Sequence, residues 1–137
     1  MRGPYLLDTS TASYIIKGNR PALDCRLIKI PVSDLFISSV TEAELRYGVA
    51  RHPQGARFAA LVEEFLLTVT ILPWDSNAAR QYGQLRADLE RKGLRMENLD
   101  LMIASHALAQ GIALVTNDKA LQRIPALTAV DWTTEKN

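Results

Sequence analysis

Short apolar runs that alternate with helical segments are the feature that most constrains the fold of this chain of 137 residues. Runs of three to six apolar residues are typical of strands buried on both faces, whereas apolar residues at every third or fourth position indicate amphipathic helices. The predicted strands are Tyr5–Leu7, Leu35–Val40, Val69–Leu72, Ile112–Val115 and Ala129–Trp132. The predicted helices are Thr9–Lys17, Ala22–Ile30, Thr41–Ala50, Gln54–Leu67, a long helix from an Asp75 cap to about Lys92, and Leu99–Gln110.

Strands separated by helices predict an α/β fold of three layers, with a mainly parallel central sheet of four to five strands and helices on both faces. We expect one domain over residues 1–133 and a polar tail over 134–137. No apolar run is long enough to span a bilayer, and the N-terminus does not have the pattern of a signal peptide. The single cysteine, Cys25, cannot form an internal disulfide, which favours a reducing cytoplasm.

Four acidic residues stand at the ends of predicted elements: Asp8, Glu44, Asp100 and Asp118. Two of them follow strands and two lie in the first turns of helices, and in a parallel sheet these positions share one edge. Carboxylates that gather there repel one another unless a cation compensates them. An all-oxygen site suits Mg²⁺ or Mn²⁺, and such sites are used to cleave phosphodiesters. The net charge of only +1 means that affinity for nucleic acid must come from local patches, metal ions or a groove in an oligomer.

Each acid also has an ordinary structural explanation. Asp8 could cap a helix, Glu44 fits a capping box with Thr41, and Asp100 suits the dipole of a helix start. The fourth acid lies in a common turn composition. The joint pattern of four acids at one edge favours a shared site. Glu42 points about 200° away from Glu44 on a helix, so we expect only one of the two to face the site.

Several polar residues near these acids keep two interpretations. Thr9 and Thr116 could hydrogen-bond the carboxylates or a ligand water, or could bond only to nearby backbone. Glu97 is close enough in sequence to serve as a reserve acid, and Asn98 is expected to cap its helix. His106 is expected to be a core or surface histidine and not a catalytic base.

A basic segment leads up to the Asp100 motif. Its cations could follow a phosphate backbone, or they could simply form the solvated face of a helix, because acids are interspersed among them. The candidate RNA-binding residues are Arg86, Arg91, Lys92 and Arg95.

At these motifs the sequence resembles the PIN-domain ribonucleases, and most closely the VapC toxins of bacterial toxin–antitoxin pairs. The resemblance covers essentially the whole chain, and its combination of motifs is specific although each motif alone is weak. The motifs are Leu6–Ser10, Ser38–Gly48, Asp100–Leu108 and Val115–Asp118, with a last match near Val130–Trp132.

The resemblance implies a Mg²⁺-dependent endoribonuclease, with Mn²⁺ as a possible substitute, that inhibits translation by cleaving structured RNA such as tRNA or rRNA. It implies that Asp8 and Asp100 are metal ligands and that Glu44 and Asp118 complete the site, possible ligands themselves. It also implies a homodimer and a VapB-type antitoxin that covers the active site and contacts operator DNA.

Two departures and several rivals qualify this resemblance. Ser10 stands where many members have Asn, and Leu99 separates Asn98 from the acid that many members place directly after Asn. Ser10 also occupies the position where a phosphoaspartyl phosphatase needs a second Asp, and Ala12 breaks the pattern of a metal-dependent adhesion module. The paired acids of a response-regulator receiver are not matched. The remaining alternative is a protein of the same fold that binds RNA or a partner without significant cleavage.

Overall fold

The computed structural model describes residues 3–134, which form five strands, seven α-helices and one 3₁₀ turn. The strands are β1 (Tyr5–Leu7), β2 (Leu35–Ser38), β3 (Thr70–Leu72), β4 (Ala113–Val115) and β5 (Ala129–Val130). The helices are α1 (Thr9–Lys17), α2 (Pro21–Leu27), α3 (Ser39–Ala50), α4 (Ala56–Thr68), α5 (Ser76–Arg91), α6 (Asn98–Gln110) and α7 (Lys119–Gln122), and the 3₁₀ turn is Val32–Asp34. Of the predicted polar tail, residues 135–137 lie outside the described residues.

The sheet has the order β3-β2-β1-β4-β5, and all four strand pairings are parallel. In the centre, Leu7 is paired with Ile37 on one side and with Val115 on the other. The strand order therefore reverses at β1, and in parallel sheets the crevice at such a switch point is where ligands bind.

Successive side chains of the central strands enter different cores, because they point to opposite faces of the sheet. Leu7 and Val115 pack with residues of α1, α2 and α4, whereas Leu6 and Leu114 pack with residues of α5, α6 and α7. All four side chains are fully buried, and each such burial stabilises the fold by about 1.5–3 kcal/mol. The predicted three-layer α/β/α architecture is confirmed.

The start of α3 differs from the prediction. β2 ends at Ser38, whose side chain caps α3 by accepting a hydrogen bond from the Val40 N–H at 3.0 Å. Thr41 lies inside the helix and is fully buried, so the predicted capping box of Thr41 with Glu44 is wrong. A helix needs only one N-cap residue, and Ser38 already fills that position.

Other boundaries differ by a few residues. α2 begins at Pro21, since proline fits a first helical position where its missing N–H is not needed. Glu97 caps α6 in place of Asn98, which is the first residue of that helix. The four-residue α7 was not predicted, because its length is too short to give a periodic pattern. No helix within residues 3–134 is both long and apolar enough to cross a membrane.

Candidate active site

Asp8 lies at the centre of the carboxyl edge of the sheet. It follows β1 and caps α1, since its Oδ1 accepts a hydrogen bond from the Thr11 N–H at 2.8 Å. Its own N–H donates to the Val115 carbonyl at 3.1 Å, which ties the residue to β4. Only 5% of Asp8 is exposed. Burial raises the pKa of this carboxyl, and hydrogen bonds from Thr116 and Thr11 partly offset the rise.

Thr116 connects the end of β4 to two of the acids. Its hydroxyl accepts a hydrogen bond from the Asp118 N–H at 3.0 Å, and it lies close enough to Asp8 to lower the pKa of that carboxyl. Asp118 in turn caps α7, its Oδ1 accepting from the N–H groups of Ala120 and Leu121. One buried threonine therefore couples the positions of Asp8 and Asp118.

Glu44 reaches the same edge from the second turn of α3. The Thr9 hydroxyl donates to Glu44 Oε1 at 2.5 Å and lies 3.1 Å from the Thr41 hydroxyl. Glu42, by contrast, bonds to Arg46 at 2.9 Å on the outer side of the helix. Thr41 is a site residue that the sequence analysis missed. The signal was its position in the second motif, but it was assigned to a helix cap.

Asp100, in the first turn of α6, is the acid on which the others converge electrostatically. Its pKa is raised to about 6, first by burial and then by repulsion from neighbouring carboxylates. The acids whose charges raise it are, in decreasing order, Asp118, Glu97, Asp8 and Glu44. The structure therefore brings the other three predicted acids, together with the reserve acid Glu97, within range of the charge of Asp100.

This donor set suits a hard divalent cation in its chemistry. Its donors are anionic oxygens, and burial together with repulsion from the other acids raises the pKa of Asp100, a repulsion that a bound cation would offset. Asp8 uses Oδ1 to cap its helix, as does Asp118, which leaves the second oxygen of each carboxylate for other partners. Within residues 3–134, no three His, Cys, Asp or Glu side chains are close enough to one another to bind the same metal ion. The acids are near enough to repel, and shared coordination requires them to move closer.

The other sequence candidates lie elsewhere. Arg86 pairs with Glu90 at 3.0 Å and Arg91 with Asp88 at 2.9 Å on the exposed side of α5, while Lys92 and Arg95 follow at its C-terminal end. RNA binding by these four cations stays a prediction. His106 is fully buried in α6, and neither ring nitrogen has a hydrogen-bond partner within the described residues. It is a core histidine.

Comparisons with known proteins show that the chain is similar to PIN-domain proteins and to VapC ribonucleases. Residues 5–127 match the family model described as PIN domain. The tRNA(fMet)-specific endonuclease VapC of Salmonella typhimurium is 38% identical over 129 residues, covering 93% of this chain and 97% of the relative. Ribonuclease VapC2 of Rickettsia felis is 36% identical over 130 residues, with the same coverage.

Solved structures agree with these sequence relatives. The chain is similar to DNA-bound VapBC from Salmonella typhimurium, with a TM-score of 0.87, 37% identity and coverage of 96% of this chain and 99% of that one. VapBC2 from Rickettsia felis, bound to a DNA fragment of its promoter, gives a TM-score of 0.81 at 34% identity, with coverage of 93% and 98%.

Proposed function

Because the chain belongs to the PIN domain family and, within it, to the VapC group, we propose that it is a divalent-metal-dependent endoribonuclease and the toxin of a VapBC-type pair. The observation that carries this proposal is the convergence of Asp8, Glu44 and Asp118 on the half-buried Asp100 at the carboxyl edge of the sheet. Four segments distant in sequence bring these acids to the switch point of a parallel sheet, where such folds bind their ligands.

The surroundings of each acid in the structure suit it to a different role in the proposed reaction. Asp8 and Asp100 would hold Mg²⁺ or Mn²⁺, since burial raises the pKa of both carboxyls and a bound cation would favour their charged forms. Glu44, oriented by Thr9, would direct the attacking water and accept its proton. Asp118 would complete the acidic pocket, with Thr116 fixing its backbone and the Asp8 carboxylate together. When bound, the cation supplies positive charge to the phosphate oxygens and acidifies a water molecule.

The substrate in this proposal is a structured RNA, such as tRNA or rRNA, and its cleavage would inhibit translation. The name of the Salmonella relative, a tRNA(fMet)-specific endonuclease, supports the tRNA class. The partner is a VapB-type antitoxin that covers the acidic site and contacts operator DNA, as the DNA-bound VapBC complexes of Salmonella and Rickettsia suggest. The toxin itself is proposed to be a homodimer that acts in the cytoplasm.

Expression of the chain without its antitoxin, followed by mapping of new RNA 5′ ends, tests this proposal. Purified protein should cleave the mapped RNA in Mg²⁺ and lose that activity in EDTA. Asp8→Ala and Asp100→Asn should abolish cleavage while the fold is retained, and Glu64→Gln, on the exposed side of α4, is the matched control. Cleavage retained by both site variants would refute the acidic site. RNA binding without cleavage by the wild type would favour the binding-only alternative.

A further inference from the structure

A groove next to the acidic site is lined mainly by apolar surface, and its polar residues include Thr9 and Glu44 of the site and the cations Lys17 and Arg51. Its volume is about 910 Å³, near the upper limit of ordinary ligand pockets. Two of its walls, on α1 and α3, each begin at the site and end at a cation, and Phe58 of α4 with Leu99 and Met102 of α6 complete the lining. On α1 the wall consists of Thr9, Ser13 and Lys17, spaced by four residues so that they share one face.

The α3 wall has the same arrangement. Glu44, Tyr47, Gly48 and Arg51 line the groove at the spacing i, i+3, i+4, i+7, which places them on one stripe. Glu44 to Arg51 spans about 10 Å along the helix, roughly one to two nucleotides of an extended single strand, whose phosphates lie farther apart than the ~3.4 Å rise per base of a duplex. The groove therefore continues from the acids toward a basic end, and its length matches a short stretch of nucleic acid.

The basic end has charge available for a ligand. Within residues 3–134, neither Lys17 nor Arg51 has a carboxylate within salt-bridge distance, in contrast to Arg46, Arg86 and Arg91. The Arg51 guanidinium lies 5.6 Å from the centre of the Tyr47 ring, and 64% of Tyr47 is exposed. Proteins that bind single-stranded nucleic acids use exposed aromatic rings to stack bases and nearby cations such as arginine to contact phosphates.

Gly48 gives an independent indication that something approaches this face. Glycine in a helix interior lowers helix stability, so its presence calls for a reason. A Cβ at this position would meet only the Phe58 ring, at an ordinary contact distance of 3.8 Å, so the packing of the chain itself does not require glycine. The missing side chain leaves the groove open between Tyr47 and Arg51.

We propose that this groove between α1 and α3 binds single-stranded RNA next to the cleavage point, with Lys17 and Arg51 contacting phosphates and Tyr47 stacking a base. The proposal rests on the proposed nuclease function and adds to it the residues that hold the strand beside the scissile bond. A segment of a partner protein is the other occupant that the apolar lining could accept, and its binding is an outcome of the test.

The test measures RNA binding apart from cleavage. A fluorescein-labelled, mixed-sequence single-stranded RNA of about ten nucleotides is titrated with full-length protein in EDTA at several salt concentrations. Gly48→Met should weaken binding at least tenfold while raising the melting temperature by about 2–4 °C, because methionine is the better helix former. Gly83→Met is the matched control, since Gly83 is exposed in α5 with no atom near its Cβ position; it should raise the melting temperature similarly and leave binding unchanged.

Charge is tested with a second pair of variants. Arg51→Gln should weaken binding about tenfold at low salt and reduce the slope of log K against log salt by about 0.7, the loss of one phosphate contact on a single strand. Arg57→Gln, on the exposed side of α4 and outside the groove lining, should change neither quantity.

The outcomes separate this proposal from the nuclease proposal. Binding by Gly48→Met and Arg51→Gln equal to that of the wild type, or no binding by the wild type at low salt, overturns the RNA groove even if the protein cleaves RNA. Variants that keep RNA binding but lose antitoxin binding overturn it in favour of a peptide groove. If the variants bind RNA more weakly than the wild type but the wild type does not cleave RNA, the groove proposal is supported and the nuclease proposal is refuted.

Discussion

Replacing Asp100 by asparagine should stabilise the metal-free protein while it abolishes cleavage. The substitution keeps the shape of the side chain and removes a charge that burial and four neighbouring carboxylates oppose. The pKa of Asp100 is about 6, against an ordinary value of 3.8, and this difference corresponds to about 3 kcal/mol of unfavourable free energy for the ionised form. Because the side chain is only half-buried, solvent screening reduces the expected effect to about 1–2 kcal/mol.

The pH dependence gives this prediction its sign. A carboxyl whose pKa is higher in the folded than in the unfolded protein favours folding only while it is protonated. The penalty from Asp100 is therefore absent below about pH 3.8, grows as the pH rises to about 6, and is complete above that value. Asp100→Asn should raise the melting temperature by about 3–8 °C at pH 8, and the gain should disappear near pH 4.

Thermal unfolding in EDTA, followed by circular dichroism from pH 4 to pH 8, measures this effect. Glu64→Gln serves as the control for loss of one exposed carboxylate and should change the melting temperature little at any pH. Addition of Mn²⁺ should then stabilise the wild type much more than Asp100→Asn, because a ligand that binds only the folded state shifts its stability. A variant that is equally stable or less stable than the wild type at pH 8 would refute the argument from charge repulsion.

Three further predictions concern residues around the site. Thr116→Val should weaken Mn²⁺ binding about tenfold by calorimetry with the fold intact, because it removes the hydroxyl that holds Asp8; unchanged affinity would contradict this role. Asp118→Asn should keep the cap of α7 whereas Asp118→Ala should cost about 1 kcal/mol more in urea unfolding, and equal stability of the two would exclude capping by this side chain. His106→Leu should leave cleavage unchanged and raise the free energy of unfolding by about 1–3 kcal/mol, because it removes a buried ring whose nitrogens have no hydrogen-bond partner within the described residues. The gain should be largest below pH 6.5, since burial lowers the pKa of His106 in the folded protein while the unfolded chain takes up a proton there. Loss of cleavage in the folded variant would instead give this histidine a catalytic role.

The fold was largely predictable because its strongest signals are local. Runs such as Tyr5–Leu7 are apolar at every position, which only a strand covered on both faces requires. The end of α1 was marked by Gly18, which adopts the left-handed conformation that glycine tolerates, and the start of α5 by Asp75, which caps it. The predictions of helix starts were wrong where two nearby polar residues could each be the N-cap. In the structure Ser38 and not Thr41 caps α3, and Glu97 and not Asn98 caps α6.

The positions of the four acids and of the neighbouring Thr9 and Thr116 could be identified in the sequence, whereas the acid that each hydroxyl contacts could not. Asp8, Glu44, Asp100 and Asp118 stand out because each occupies a recognisable motif at the end of an element. The contact of Thr9 with Glu44 joins residues 35 positions apart, and no local pattern encodes such a pairing. The groove beside the site was equally invisible, because its two walls come from helices that meet only in the folded chain.

The amino-acid sequence by itself determined the five strands, all the helices except α7, their parallel arrangement and the candidate acids, because hydrophobic periodicity and end signals act over a few residues. Only the tertiary structure decided which acid each hydroxyl contacts, how strongly burial and mutual repulsion raise the pKa of Asp100, and where the groove beside the site lies. These properties depend on distances between segments far apart in the chain and on the water excluded between them, and both are set when the helices pack against the sheet.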